Sequence, residues 1–448
     1  MSAPDDQSGP YGADMTEPAS WRLRLRRLRT DGLARESTWS LTYEIAVLSS
    51  SLVSFMLLGR NLGAEGYGGY ASLFAIISPL LTLAGSGLTL SLLQHTVQGH
   101  EPLASTARSC LSLALLVGLG LTVVASAICL VVVPALPVIA VISLLCTEFL
   151  VMPAVHIAAA TSQIASGFVA AARTRLVFVF IRTGIILGLA LTGQLTIVSF
   201  AALTLAAGVV TALLTMRFVG RLHGFSLRPG RIRWTHLKSN AIYSSAISAQ
   251  ALGNDGDKLV MAGNGLVVEL GRYSVAYRIV QYGMLPVASV VNAGHVRFLA
   301  HEPDRQRQHL DRAIRYGSIS ALYGIVCGLG LFIISPLVPV LFGEDFADSA
   351  RMVRWLAPVV LVRSLTIFAG NGLMGLGRHG TRTTLIVVNA VIAMAIYIVL
   401  IPRFGWQGAA VGTLVAETID CASGWVALVI LQRRADRATR LSPVDSVT

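Results

Sequence analysis

Two long apolar segments of this sequence each carry an arginine near their middle, at Arg182 and Arg363. A cation at the centre of a membrane-spanning helix costs roughly 2.5–3.5 kcal/mol on insertion scales, so each residue should face a cavity or a partner. The guanidinium group offers a fork of donors that matches two phosphate oxygens. We therefore predict that Arg182 and Arg363, together with Arg278 nearer a segment end, bind phosphate in a membrane cavity. The alternatives are an internal ion pair and a side chain that extends to the membrane surface.

Five acidic residues are candidates for a coupling-ion or proton site, because carboxylates inside membrane spans often relay protons. They are Glu44, Glu148, Asp257, Glu417 and Asp420. Glu417 and Asp420 are three residues apart and should share one helix face. The simpler interpretation of Glu148 is a protonated side chain shielded from lipid. Asp257 precedes Lys258, and the simpler interpretation of these two residues is a neutralised pair that positions the helix.

The sequence lacks the motifs of common enzymes. It contains no GxxxxGK[ST] phosphate loop, no HExxH zinc motif and no GxSxG nucleophile motif. The segment Asp255-Gly256-Asp257 spells the DxD of many glycosyltransferases, but this spacing directs the two carboxylates to different sides of a helix. The five cysteines show neither CxxC nor Cys/His ligand spacing. We expect a protein that is not an enzyme and that uses no metal or cofactor, apart from coupling to H⁺ or Na⁺.

The composition indicates which elements hold these residues. Hydrophobic residues make up 54% of the 448-residue chain and charged residues 13%, with a mean hydropathy of +0.68. Soluble domains carry roughly 25% charged residues, so a soluble enzyme is excluded. Apolar runs of about 20 residues, enough to cross a bilayer, recur along the chain. The predicted fold is an all-α polytopic membrane protein of about twelve spans, at 39–58, 69–93, 108–133, 138–160, 174–192, 195–216, 239–262, 272–297, 315–342, 352–376, 383–402 and 406–431.

The basic residues are distributed unevenly between the two sides of the predicted bundle. With the N-terminus inside, about 26 of the 35 Lys and Arg residues lie in inside segments and about 5 in outside segments. This asymmetry predicts that both termini are cytoplasmic. The net charge of +12 then matches anionic lipid headgroups and does not indicate a nucleic-acid partner. The predicted divisions are a disordered cytoplasmic tail (1–38), an N-lobe (39–217), a basic linker (218–238), a C-lobe (239–432) and a cytoplasmic tail (433–448).

The two predicted lobes are related by a weak repeat at an offset of about 205 residues. Gly68-Gly69-Tyr70-Ala71 corresponds to Gly271-Arg272-Tyr273-Ser274, and residues 167–173 correspond to 372–378. Six spans separate the members of each pair, and an even number preserves direction across the membrane. The sequence therefore predicts parallel repeats, as in transporters with two six-helix lobes around a central cavity.

Glycine and proline positions add expectations about packing. Two GxxxG pairs, Gly184/Gly188 and Gly408/Gly412, predict close contact between helices within the bundle. Prolines in spans leave backbone carbonyls that a cavity or a neighbour must satisfy. The candidate hinges are Pro79, Pro153 and Pro286.

Four segments resemble the Wzx-type polysaccharide flippases of the multidrug/oligosaccharidyl-lipid/polysaccharide exporter (MOP) superfamily. The similar segments are residues 58–71 (LGRNLGAEGYGGYA), 257–261 with 271–278 (DKLVM and GRYSVAYR), 341–346 (LFGEDF) and 401–410 (IPRFGWQGAA). The resemblance covers nearly all of the chain after Trp39. Twelve spans fit this branch better than the lipid II flippase branch, which has fourteen.

The resemblance implies a function in polysaccharide biosynthesis. Such a protein moves an undecaprenyl-pyrophosphate-linked oligosaccharide from the inner to the outer leaflet of the bacterial cytoplasmic membrane by alternating access. Its partners would be the lipid-linked glycan, the lipid bilayer, and the glycan polymerase and glycosyltransferases of the same pathway. Two other functions stay open at this point: an ion-coupled multidrug antiporter of the same superfamily, and a membrane glycan polymerase or ligase.

Overall fold

The computed structural model describes residues 20–97, 101–134, 136–286 and 309–441. These residues form helices and connecting turns, without a β-strand. Apolar segments of this kind adopt helices because a helix satisfies its backbone hydrogen bonds internally, which lipid requires. The all-α prediction is confirmed.

The helices are of very different lengths. In chain order they are α1 (Ser20–Leu81), α2 (Gly87–Val97), α3 (Leu103–Val132), α4 (Val138–Cys146), α5 (Met152–Ser166), α6 (Phe168–Leu191), α7 (Ile197–Leu222), α8 (Trp234–Gly263), α9 (Val267–Gly283), α10 (His309–Ile334), α11 (Val338–Phe342), α12 (Ala347–Gly375) and α13 (His379–Leu441). π-helical turns join α1 to α2 (Thr82–Ser86) and α4 to α5 (Thr147–Val151).

The twelve membrane crossings follow from these helices. Among the described residues, eight helical stretches are long and apolar enough to span a bilayer. Two of them, Thr42–Val97 and Gly380–Arg434, are 56 and 55 residues long and cross twice. Each is broken where a glycine takes a positive φ, Gly63 at 67° and Gly405 at 56°. The more polar helices α8 and α9 are not among these eight, and counted with them the described helices match the twelve predicted crossings, six in each lobe. The chain is a multi-pass membrane protein.

The ends of the predicted divisions differ from the observed helices. Residues 1–19 of the predicted tail (1–38) lie outside the described part, and α1 begins at Ser20. Arg and Leu dominate this stretch and are strong helix formers. The helices also continue into the predicted linker, which is non-helical only from residue 223 to 233, and into the second tail as far as Leu441.

The lobes meet at two repeat-related glycines. A Cβ atom on Gly68 would lie 2.0 Å from the carbonyl oxygen of Val267, and one on Gly271 would lie 2.1 Å from that of Ala64. Such distances are far shorter than van der Waals contact, so the backbones of α1 and α9 cross here with no room for a side chain. The repeat found in the sequence therefore includes the point where the lobes touch.

The proline and GxxxG expectations have mixed outcomes. π-helical turns follow Pro79 and precede Pro153, so both prolines lie at local helix irregularities. Pro286 is the last described residue of its segment. The close-packing expectation is confirmed for Gly408 and Gly412, whose added Cβ atoms would lie 2.4 Å from the Leu400 carbonyl oxygen and 2.9 Å from the Tyr397 ring. It is wrong for Gly184/Gly188, which face open space within 4 Å among the described atoms.

Candidate functional site

The N-lobe arginine is held by an internal ion pair. Arg182 on α6 lies 3.3 Å from Glu148, which is buried in the π-helical turn before α5. A second guanidinium nitrogen donates to the hydroxyl of Tyr70 at 3.1 Å, and the group lies 5.7 Å from the centre of the Phe200 ring. The predicted phosphate ligand Arg182 and the predicted proton site Glu148 are thus direct partners.

The C-lobe arginine repeats this arrangement. Arg363 on α12 forms an ion pair with Glu417 on α13, with Nε 2.9 Å from the carboxylate and one terminal nitrogen also in contact with it. The same terminal nitrogen donates to the hydroxyl of Tyr277 at 3.0 Å. An Arg–Glu–Tyr cluster is therefore present in the described part of each lobe, and both contain the internal ion pair that the sequence left as an alternative.

A polar cavity in the C-lobe lies against the second cluster. We call it the C-lobe cavity; its volume is about 250 Å³ and its polar lining residues are Gln250, Asn254, Arg363, Thr366, Asn389, Tyr397, Glu417 and Asp420. Glu417 and Asp420 face the same space, as their spacing predicts. Asp420 accepts a hydrogen bond from the amide of Asn389 at 2.5 Å. The cavity could hold a small cation between the two carboxylates.

The acidic segment of α8 connects the lobes. The ammonium group of Lys258 is 2.9 Å from Asp255 and 3.4 Å from Asp257, and it lies 3.5 Å from the centre of the Tyr277 ring. Asp255 accepts a hydrogen bond from Ser78 of the N-lobe at 2.6 Å. The predicted pair of Asp257 and Lys258 is thus part of a triad with Asp255. The carboxylate of Asp255 is closer to the ammonium group of Lys258 than that of Asp257 is.

Asp257 has a different set of partners. Its carboxylate is 1% exposed and accepts hydrogen bonds from the hydroxyl groups of Tyr273 at 2.7 Å and Thr413 at 3.1 Å. Asp255 and Asp257 therefore point to different neighbours, as their spacing on a helix predicts. The separate directions do not favour joint chelation of a metal by the DxD segment.

Arg278 differs from the other two arginines. It is half-buried, and in the described part of the chain it forms no ion pair within 4 Å. Its guanidinium lies 5.2 Å from the centre of the Phe55 ring. It faces a cavity of about 220 Å³ between the lobes, which we call the central cavity; the residues that line it are Tyr67, Tyr70, Ala71, Phe74, Ala75, Ser78, Leu81, Asp255, Lys258, Ser274, Tyr277, Arg278 and Gln281.

Several residues of the central cavity escaped the sequence prediction. Tyr67, Tyr70 and Ser78 are contributed by α1, and their positions opposite α8 and α9 are fixed only by the crossing of the lobes. The GYGGY segment was a signal for Tyr67 and Tyr70, because tyrosine hydroxyls in a membrane span need a hydrogen-bond partner. Glu44, by contrast, is exposed and lies outside all three clusters.

An apolar cavity adjoins the central cavity. Its volume is about 470 Å³, and its lining includes Leu52, Phe55, Ile279, Leu331, Leu341 and Phe342. Phe55 contributes to this lining and also lies beneath the guanidinium of Arg278. The Phe55 ring therefore lies beside both the apolar cavity and the guanidinium that faces the central cavity.

The fold is that of the MOP superfamily of membrane transporters. A multidrug resistance MATE family transporter in its inward-facing conformation has a TM-score of 0.71 and 16% identity, over 88% of this chain and 99% of that one. The lipid II flippase MurJ has a TM-score of 0.66 and 11% identity, over 86% and 87% of the two chains. A MOP superfamily transporter from Pyrococcus furiosus has a TM-score of 0.61 and 15% identity, over 89% and 96%.

The sequence comparison identifies the family within that fold. The profile of the family described as polysaccharide biosynthesis protein matches residues 57–351, and the chain belongs to this family. This confirms the resemblance carried by the sequence motifs. The chain is also similar to the probable low-salt glycan biosynthesis flippase Agl15 of Haloferax volcanii, with 23% identity over 153 residues. That match spans 34% of this chain and about a third, 32%, of the relative.

Proposed function

We propose that this protein is a flippase for an undecaprenyl-pyrophosphate-linked oligosaccharide in polysaccharide biosynthesis. The headgroup enters a cavity between the lobes from the inner leaflet, the lobes rock about their crossing, and the headgroup leaves towards the outer leaflet. Membership of the polysaccharide biosynthesis family and similarity to a glycan flippase support this function. The protein acts as a transporter and not as an enzyme.

The observation that carries the proposal is Arg278 in the central cavity. Arg182 and Arg363 already have carboxylate partners, which satisfy their charge. Among the described residues Arg278 has aromatic neighbours and no ion-pair partner, and it faces a cavity, so its guanidinium can bind a phosphate in the bidentate geometry. Lys258 lines the same cavity, but its ammonium group is already paired with Asp255 and Asp257. We therefore propose that Arg278 is the main residue that binds the pyrophosphate. Arg182 and Arg363 position the helices that form the cavity walls.

The apolar cavity supports a lipid-linked substrate. A prenyl chain gains about 0.8 kcal/mol for each CH₂ group that it buries. A chain placed along Phe55 and Ile279 would keep its methylene groups out of water while its pyrophosphate contacts Arg278. A drug that carries a positive charge would instead be repelled by Arg278, which disfavours the multidrug alternative.

In this proposal the binding site of the coupling ion lies in the C-lobe. Asp420 and Glu417 face the C-lobe cavity, and neutralising one of them with H⁺ or Na⁺ would change the charge balance around Arg363. Asp257 and Glu148 are buried and serve as secondary candidates, whereas Glu44 is exposed. We place the protein in the bacterial cytoplasmic membrane with both termini inside, where glycosyltransferases supply its substrate and a glycan polymerase uses its product.

A reconstituted flipping assay tests the phosphate assignment. The full chain is placed in liposomes with a labelled undecaprenyl-pyrophosphate disaccharide, and a membrane-impermeant reagent reports the outward-facing fraction. A hydrogen bond to a charged group is worth roughly 1.5–3 kcal/mol, so Arg278→Gln should slow flipping by about tenfold or more. Flipping by the Arg278→Gln variant at the wild-type rate would contradict the assignment.

The chain offers a matched control for this experiment. Arg60 is exposed at the end of the first crossing and lies outside the cavities described above. Arg60→Gln removes the same charge from the protein without touching the cavity and should leave the flipping rate unchanged. An equal loss in both variants would show that overall charge, and not phosphate binding, sets the rate.

A further inference from the structure

Two histidines and a glutamate meet at the predicted cytoplasmic end of the lobe interface. His95 lies near the end of α2, Glu101 precedes α3, and His236 lies in the first turn of α8. Nδ1 of His95 is 3.2 Å from one carboxylate oxygen of Glu101, and Nε2 of His236 is 3.2 Å from the other. The three donor atoms lie within 4.8 Å of one another. The N-lobe supplies His95 and Glu101, and the C-lobe supplies His236.

The opposite nitrogens of both imidazole rings are also fixed. Nε2 of His95 is 3.1 Å from the hydroxyl of Ser239, and Nδ1 of His236 is 2.9 Å from the hydroxyl of Ser109. Metal-binding histidines characteristically have such an outer partner on the second nitrogen, because it fixes the ring orientation and the tautomer. Each serine lies on the lobe opposite to the histidine that it orients, so both rings are oriented from across the interface.

Glu101 is suited to act as an anionic ligand. One of its carboxylate oxygens accepts a hydrogen bond from the hydroxyl of Thr106 at 3.2 Å and also faces Nε2 of His236. Arg233 contacts the oxygen that faces His236, at 2.6 Å, and leaves the other oxygen to His95. Arg233 therefore competes with a cation for this carboxylate.

We propose that His95, Glu101 and His236 form a binding site for a divalent transition metal of the zinc class, which clamps the two lobes together. Two imidazoles and one carboxylate are a known ligand set for Zn²⁺, with water in the fourth position. In a tetrahedral site with bonds of about 2.0–2.2 Å the donors lie about 3.3–3.6 Å apart. Each histidine is already 3.2 Å from a carboxylate oxygen, and the donors that now lie up to 4.8 Å apart would move together around the metal. The bound metal holds this end of the lobe interface closed and thereby slows the rocking of the lobes.

Metal binding to the purified full chain tests the site without any substrate. After removal of any polyhistidine tag, Zn²⁺ is titrated by calorimetry, and Co²⁺ is added as a probe whose visible spectrum reports the ligand geometry. The wild type should bind one Zn²⁺ and show the spectrum of four- or five-coordinate Co²⁺. His95→Asn should weaken binding by at least about tenfold, and Ser239→Ala, which removes an outer partner, by about 10- to 100-fold.

Two variants distinguish a metal site from a hydrogen-bonded contact. Arg233→Gln removes the competing cation and should strengthen Zn²⁺ binding, whereas a purely structural cluster would only be weakened by this change. His223→Asn is the matched control, since His223 is a half-buried histidine at the end of α7 whose Nε2 has no partner among the described residues. Equal Zn²⁺ affinity in His95→Asn, His223→Asn and the wild type would overturn the proposal.

The effect of the bound metal on the movement of the lobes can be measured separately, as a change in the flipping rate. Saturating Zn²⁺ should slow flipping by the wild type and leave the His95→Asn variant unaffected. Unaltered flipping by a wild type that binds Zn²⁺ would overturn the clamp. Because the binding experiment uses no glycan, failure of the metal site and failure of the flippase function give different results.

Discussion

At the scale of single residues, the three membrane arginines have different environments. Arg182 and Arg363 each form an ion pair with a glutamate and contact a tyrosine hydroxyl, whereas Arg278 faces the central cavity beside aromatic rings. Sequence position alone ranks the first two as the stronger phosphate candidates, because they lie nearer mid-depth. Our proposal reverses that ranking, since a guanidinium paired with a carboxylate has less charge to offer a ligand.

The Arg182–Glu148 pair leads to a prediction about stability. Removing one partner leaves an uncompensated buried charge, which typically costs about 3–5 kcal/mol. Arg182→Met should therefore lower the thermal unfolding temperature of the detergent-solubilised protein substantially. The double variant Arg182→Met/Glu148→Leu should recover most of the loss, because it removes both charges. A double variant less stable than Arg182→Met would contradict an ion pair whose role is to neutralise Glu148.

At the scale of helices, the crossing of α1 and α9 determines how the lobes are joined. Gly68 and Gly271 allow the two backbones to approach until no Cβ atom fits. The family-like motifs that contain these glycines therefore serve helix packing at least in part. Gly63, in the same motif as Gly68, and Gly405, in the motif 401–410, take positive φ values at the breaks in α1 and α13. The shared motifs therefore serve the scaffold in part, and they also supply Tyr67, Tyr70, Lys258 and Arg278 to the lining of the central cavity.

Alanine substitutions distinguish packing glycines from others. Gly68→Ala and Gly271→Ala should each destabilise the protein by about 1–3 kcal/mol, the usual cost of an overpacked site. Gly120→Ala is the matched control, because a Cβ at Gly120 meets no described atom within 4 Å and alanine favours a helix. The thermal unfolding temperature should fall for the first two and stay level or rise for the third. A fall of equal size at Gly120 would exclude the crossing as the cause.

At the scale of the whole molecule, the two lobes touch along α8 and the second crossing. The hydroxyl of Ser78 donates a hydrogen bond to Asp255 across this interface. Closer to the cytoplasmic end predicted for α2, the hydroxyl of Tyr243 donates a hydrogen bond to the side chain of Gln94. The bond between Tyr243 and Gln94 lies close to the proposed metal clamp. In the alternating-access cycle that we propose, these contacts have to separate, so the interface should limit the rate of transport.

Crosslinking across this interface should stop transport. The double variant Gln94→Cys/Tyr243→Cys, treated with a short reducible bifunctional reagent, should lose most of its flipping activity and regain it after reduction. Each single-cysteine variant is the control, since the reagent cannot join the lobes when one site is missing. Full activity of the crosslinked protein would show that the α2–α8 contact does not open during transport.

The sequence alone determined the membrane location, the all-α fold, the twelve crossings and the parallel repeat. Hydropathy, helix length and the even spacing of repeated segments depend on local chemistry and on the thickness of the bilayer, and both are visible in a linear chain. The spacing of Glu417 and Asp420 likewise predicted a shared face, because helix geometry is local.

Only the tertiary structure decided which charges have partners. Arg182 and Glu148 are separated by 33 intervening residues and Arg363 and Glu417 by 53, so no local rule connects them. The same holds for His95 and His236, which meet because the lobes pack against each other. A charge inside a membrane protein is stabilised by whatever the folded chain places beside it. The types of chemically active groups are thus set by the sequence, and the availability of each group for a ligand is set by the packing of distant helices.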